Sequence, residues 1–172
     1  MARTLETVIS VLKITPQRWI QFAGAIPIEL LKHGPAANEW SALECLQHLL
    51  DTERVVFPAR LGYLLRGEDF PAFNPDADGS KPQKGLSPND LAKEFENLRT
   101  KSLTILSKVQ EKDLSRKAKH QELGIVSLGE MINEWAGHDL MHTVQAERAM
   151  MQVFIAGCRP WKQFFAAHII GE

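Results

Sequence analysis

LGEMINEWAGHDLMHTVQAERAM, running from Leu128 to Met150, is the stretch whose reading decides the fold. Ser127-Leu128-Gly129-Glu130 at its start has the form of a capping box, in which a serine side chain and a glutamate three residues on satisfy each other's backbone amides. The spacing therefore predicts a helix from Ser127 to about Val153. His138 and His142 are four residues apart, so both imidazoles leave the same helical face. Two neutral imidazoles aimed at one point are half of a metal site. With six histidines in the chain the spacing carries little weight alone, and a third ligand has to come from elsewhere.

Working outward, Ser41-Ala42-Leu43-Glu44 is a second capping box, with Trp40 before it and an apolar helical pattern running to Arg66 and Gly67. Pro58 falls within this run, which predicts a bend near Arg54 or Val55 in a helix that continues. Ser87-Pro88-Asn89-Asp90 supplies an N-cap, a proline at the first helical position and a first-turn acid for a third helix reaching about Val109, the most polar of the set. Near the N-terminus, Leu5, Val8, Ile9, Leu12, Trp19, Phe22 and Ala23 outline an amphipathic helix within Arg3 to Ala25, whose regular part is expected to begin at Pro16 with Thr15 as cap.

The segment from Ile26 to Glu39 reads as a connector, with an extra helical turn around Ile28 to Leu31. Glu68 to Leu86, rich in Pro, Asn, Asp and Gly, reads as a candidate lid or site wall. Lys112 to Gly124 is basic and reads as irregular and solvated. A short amphipathic helix is expected after Pro160, burying the aromatic face of Trp161, Phe164 and Phe165 on its own bundle or on a second subunit. With no alternating strand pattern, the expectation is an all-α fold: a four-helix bundle with long crossover loops and a short C-terminal helix, one domain over residues 1–172.

Composition narrows the function. A chain of 172 residues, 44% hydrophobic and 24% charged, is long enough for a core without staples. A formal charge of −1 gives no electrostatic reason to expect nucleic acid or an anionic membrane as partner. The opening apolar run, broken by Arg3, Glu6 and Lys13, is too short to span a bilayer. Cys45 and Cys158, far apart and without an export segment, fit free thiols, and the expected location is cytoplasmic.

In a bundle, a third ligand belongs on a helix facing the last one. His48, within Leu46-Gln47-His48-Leu49-Leu50, is the one histidine of the first three helices and lies on a core stripe. With His138 and His142 it would leave coordination positions open for water or substrate. Asp51, one turn after His48, and Glu134, one turn before His138, are candidates to accept an imidazole N–H, and Gln145 to line the pocket. His33, His120 and His168 read as surface or packing residues. Cys45, on an apolar helix, reads as a buried inert thiol.

The segments Trp40-Ser41-Ala42-Leu43-Glu44 leading to His48-Leu49-Leu50-Asp51-Thr52-Glu53, and Gly137-His138-Asp139-Leu140-Met141-His142-Thr143-Val144-Gln145, resemble the DinB-like superfamily. The resemblance implies a four-helix bundle whose three histidines, here His48, His138 and His142, hold a divalent metal, zinc or nickel. It also implies a small-molecule substrate, with a low-molecular-weight thiol as possible cosubstrate. The first expectation is a metal-dependent enzyme, a thiol-cofactor transferase or a hydrolase, in which the metal activates a thiol or water. The alternative is a non-catalytic metal-binding stress or scaffold protein; a third reading has no metal and treats the histidines as satisfied core groups. A homodimer is expected from the apolar tail and helix faces.

Overall fold

The computed structural model describes residues 4–72 and 85–171. Four long helical units form the bundle: α1 (Thr4–Ala25), α3 (Ala42–Val55) continued by α4 (Phe57–Arg66), α5 (Pro88–Leu106) and α6 (Leu128–Gly157), with a one-turn α2 (Ile28–Leu31) between the first two. α1 packs against α5 and α6, and α3 packs against the same two. The helices that follow one another in sequence, α1 and α3, thus lie on one diagonal and α5 and α6 on the other. A diagonal order needs long connections, which explains the crossovers. The candidate lid lies largely outside the described residues; at its start Phe70 is buried.

All three expected helix starts form. Ser41, Ser87 and Ser127 each accept the backbone amide three residues on, and Glu44, Asp90 and Glu130 return the bond. Gly67, at φ 72°, closes α4 in the left-handed conformation that costs glycine nothing.

Three local expectations are corrected. α1 does not begin at Pro16 but runs through it. Pro16 has no N–H for the carbonyl of Leu12, and that carbonyl instead accepts Nη1 of Arg99 at 2.9 Å. A tertiary bond therefore replaces the helical one. The second helix does not bend and continue but is interrupted at Val56 (φ −104°, ψ −73°), after which Pro58 sits in the first turn of α4. Finally, the basic segment is not irregular. After a 3₁₀ turn (Glu111–Ser115) it forms an antiparallel hairpin of β1 (Lys117–His120) and β2 (Gly124–Ser127). Lys117 and Lys119 face out while Ala118 and His120 are buried, an alternation too short to register as a strand. The imidazole of His120 ties the turn by accepting the amides of Glu122 and Leu123, and Gly124 (φ 75°) closes it.

The interior is layered. One apolar cluster gathers Val8, Leu12, Phe57, Leu61, Leu106, Leu128, Ile132 and Trp135; a second gathers Trp19, Leu43, Leu46, Leu50, Leu91, Phe95, Ala146 and Met150. Every long helix changes cluster midway, and buried polar residues stand at the change: Thr15 on α1, Thr52 and Glu53 on α3, Arg99 and Ser102 on α5, Asp139, His142 and Thr143 on α6. The site lies in this polar layer. The tail forms a 3₁₀ segment (Arg159–His168) whose Trp161 and Phe164 are exposed.

Candidate metal centre

The helix breaks and caps fix which faces meet at the bundle's middle. α3 presents His48 to α6, and the one-turn spacing on α6 presents His138 and His142 to α3. The donor nitrogens of the three lie within 4.8 Å of one another, and Nε2 of His48 is 3.0 Å from Nε2 of His138. Two nitrogens bound tetrahedrally to one zinc ion at about 2.0–2.1 Å lie about 3.3 Å apart, so the spacing fits a shared ion. His48 and His142 are buried, and His138 is partly so.

Electrostatics favour lone pairs over protons here. Burial, with the neighbouring His142 adding to it, pushes His48 down from 6.5 to about 4. Burial again leads for His138, aided by His142, His48, Arg99 and Arg60, and takes it down to about 3. His142 is lowered by burial, against a partly restoring hydrogen bond to Gln145 and the charge of Asp139. Near pH 7 the three imidazoles are neutral, the form that ligates a metal.

The walls are aromatic. Trp40, just before the α3 cap, stacks on His142 (ring centroids 5.6 Å apart, planes 18° apart) and leans on His48. Phe57 meets the third ring, His138, edge-on. Gln145 is the best-placed polar neighbour: its Oε1 is 2.8 Å from Nδ1 of His142. With the amide oxygen as acceptor, the proton sits on Nδ1 and Nε2 keeps its lone pair for a ligand. Nδ1 of His138 is buried with no hydrogen-bond partner.

The two candidate carboxylates are occupied elsewhere. Asp51 accepts from Gln47 and from Arg54 at 3.0 Å each. Glu134 takes Nη1 of Arg60 on both oxygens at 3.2 Å. Of the remaining histidines, His120 is buried in the hairpin, while His33 is half-buried and His168 exposed. Cys45 is fully buried, its thiol pushed up to about 12 by burial and by the charge of Glu44, which keeps it un-ionised and unreactive.

Beside the histidines stands an ion network that the sequence does not announce. Arg99, 1% exposed, donates Nε to Glu53 (2.9 Å), Nη1 to Asp139 (2.6 Å) and to the Leu12 carbonyl, and Nη2 to Asp139 (3.0 Å). Ser102 donates to the other oxygen of Glu53 at 2.5 Å. All four long helices contribute. The aromatic faces of Phe95 and Trp135 flank the guanidinium. The signal available in sequence was Glu53 and Asp139 next to the ligand stripe, charges on faces that must be buried if their neighbours are. Their partner, Arg99, lies on the most polar helix, where no local pattern sets it apart.

Residues 12–146 match the family model of the DinB superfamily. No curated protein matches the chain. Among solved structures, the chain resembles one described as "YfiT from Bacillus subtilis is a probable metal-dependent hydrolase with an unusual four-helix bundle topology". The TM-score is 0.75 and the identity 16%, with 89% of each chain covered, a likeness of fold.

Proposed function

Because the chain belongs to the DinB superfamily, we propose that it is a divalent-metal-dependent enzyme whose ion is held by His48, His138 and His142. The observation that carries this reading is the convergence of three neutral imidazoles within 4.8 Å inside a polar layer. A zinc or nickel ion bound there would supply Lewis acidity, bringing a water near neutral pKa or holding a thiol as thiolate. The chain's own residues do the rest. Burial withholds protons from the ligands, Gln145 sets the tautomer of His142, and Trp40 and Phe57 keep bulk water from two sides of the cluster. Hydrolysis is the favoured reaction, in line with the description of the YfiT structure; transfer of a low-molecular-weight thiol to a small electrophile is the other reaction the same centre could run.

One observation favours the non-catalytic alternative: Asp51 and Glu134, each one turn from a ligand, are held in ion pairs, so a general base would have to be freed from one. The exposed α6 face of Leu140, Met141 and Val144 supports a homodimer. None of the described helices is long and apolar enough to cross a membrane.

Titration of the purified chain with zinc, nickel and manganese should show one ion per chain, and His138→Ala should abolish it. Absence of stoichiometric binding in the unsubstituted chain sinks the reading. Metal-loaded protein is then assayed against ester and amide panels and against thiol–electrophile pairs. Turnover lost in His142→Ala supports an enzyme; equal rates in both proteins support the metal-binding scaffold.

A further inference from the structure

The buried imidazole of His120 has bonding capacity left unspent. His120 is 4% exposed, and its Nδ1 accepts two backbone amides, Glu122 at 3.1 Å and Leu123 at 3.2 Å. A nitrogen that accepts cannot carry a proton, so the ring hydrogen is on Nε2. The polar atom facing that N–H is Nη2 of Arg60, 3.5 Å away. A guanidinium nitrogen is also a donor, so the two do not bond to each other. Both residues border the same space, and among the described residues neither of these N–H groups has an acceptor there, at the cost an unpaired donor carries.

The space is a cavity of about 120 Å³. Its walls are apolar: Phe70, whose ring meets His120 edge-on, with Leu123, Val126 and Met131. Two carboxylates also border it, and both are committed: Glu134 to Nη1 of Arg60, and Glu130 to the amide and hydroxyl of Ser127. One cation against two acids disfavours an added anion. A neutral oxygen with two lone pairs suits both donors and brings no charge.

We propose that the His120–Arg60 fork is a binding site for the carbonyl oxygen of a small uncharged molecule, whose apolar body of about five or six heavy atoms fills the cavity. The size follows from the volume, somewhat below the roughly 150 Å³ that accommodates benzene. The site is built from the hairpin, α4 and α6 and does not depend on bound metal, so its test stands or falls apart from the metal reading.

The test is titration of the full ¹⁵N-labelled chain, with and without zinc, with cyclopentanone, cyclopentane and cyclopentanecarboxylate. Cyclopentanone should give saturable shifts at Leu123, Val126 and Met131 and at the His120 ring nitrogens, and bind about tenfold tighter than cyclopentane, the worth of one good hydrogen bond. His120→Asn keeps an oxygen to accept the turn amides but removes the Nε2 donor; Arg60→Met removes the other. Each should weaken cyclopentanone about tenfold and leave cyclopentane unchanged. Should His120→Asn fail to fold, judged by its amide spectrum, Arg60→Met decides. No saturable shift, equal binding of ketone and hydrocarbon, or unchanged ketone affinity in the folded variants overturns the proposal. Tighter binding of the carboxylate overturns its uncharged assignment.

Discussion

Two constellations share the polar layer of this bundle and treat burial in opposite ways. In the Arg99 network donors and acceptors match: a guanidinium meets two carboxylates, one main-chain carbonyl and the faces of two aromatic rings. In the histidine cluster three groups of one kind converge, and Gln145 bonds to one of them, His142, from outside it. The first is closed and the second incomplete. Buried polar groups that satisfy one another hold helices in register, whereas buried groups that converge without a counter-charge mark the place where one is to be bound.

The comparison breaks most readily at Arg99. Arg99→Met would strand Glu53 and Asp139 without their cation, and urea unfolding should show a loss of about 3–5 kcal/mol. A loss under about 1 kcal/mol would mean the network is not what aligns the four helices.

The histidines should respond to acid instead. In the unfolded chain they take up protons near pH 6.5, while in the fold His48 and His138 resist protonation down to about 4 and about 3. Their native environment is therefore fully tolerated above pH 6.5, and stability is lost as pH falls from there toward 3–4. Thermal melts of the metal-free chain between pH 7.5 and 4 should show this as a drop on the order of a few kcal/mol, shallower in His48→Leu. Equal slopes in both proteins would remove the histidines from the account.

Gln145→Leu sharpens the contrast with least disturbance. It deletes the hydrogen bond that orients His142, and calorimetric titration with zinc should show affinity reduced by about 10–100-fold with little change in metal-free stability. Unchanged affinity would reduce Gln145 to a wall residue.

What could be read in advance follows the range of the interactions. The helix starts were legible because a capping box lies within four residues, as at Ser41–Glu44 and Ser127–Glu130. The His138 and His142 pair was legible because one turn of helix fixes its geometry. His48 was found by reasoning about facing stripes, and the structure brings it to the pair. The hairpin escaped because two strands of four residues offer too few positions for a pattern, and its decisive bond is made by a side chain, His120, to its own turn.

The sequence by itself determined the helical content, the caps and the one-turn spacing of the α6 histidines, all products of backbone geometry and near-neighbour chemistry. Only the tertiary structure decided that Arg99 lies at the centre of four helices, that Pro16 sits inside α1 with its orphaned carbonyl taken by that arginine, and that Asp51 and Glu134 turn to Arg54 and Arg60. Those outcomes depend on partners 40 to 87 residues away for Arg99, and a long-range bond leaves no local pattern. It exists because the chain, once folded, must satisfy every polar group it has taken out of water.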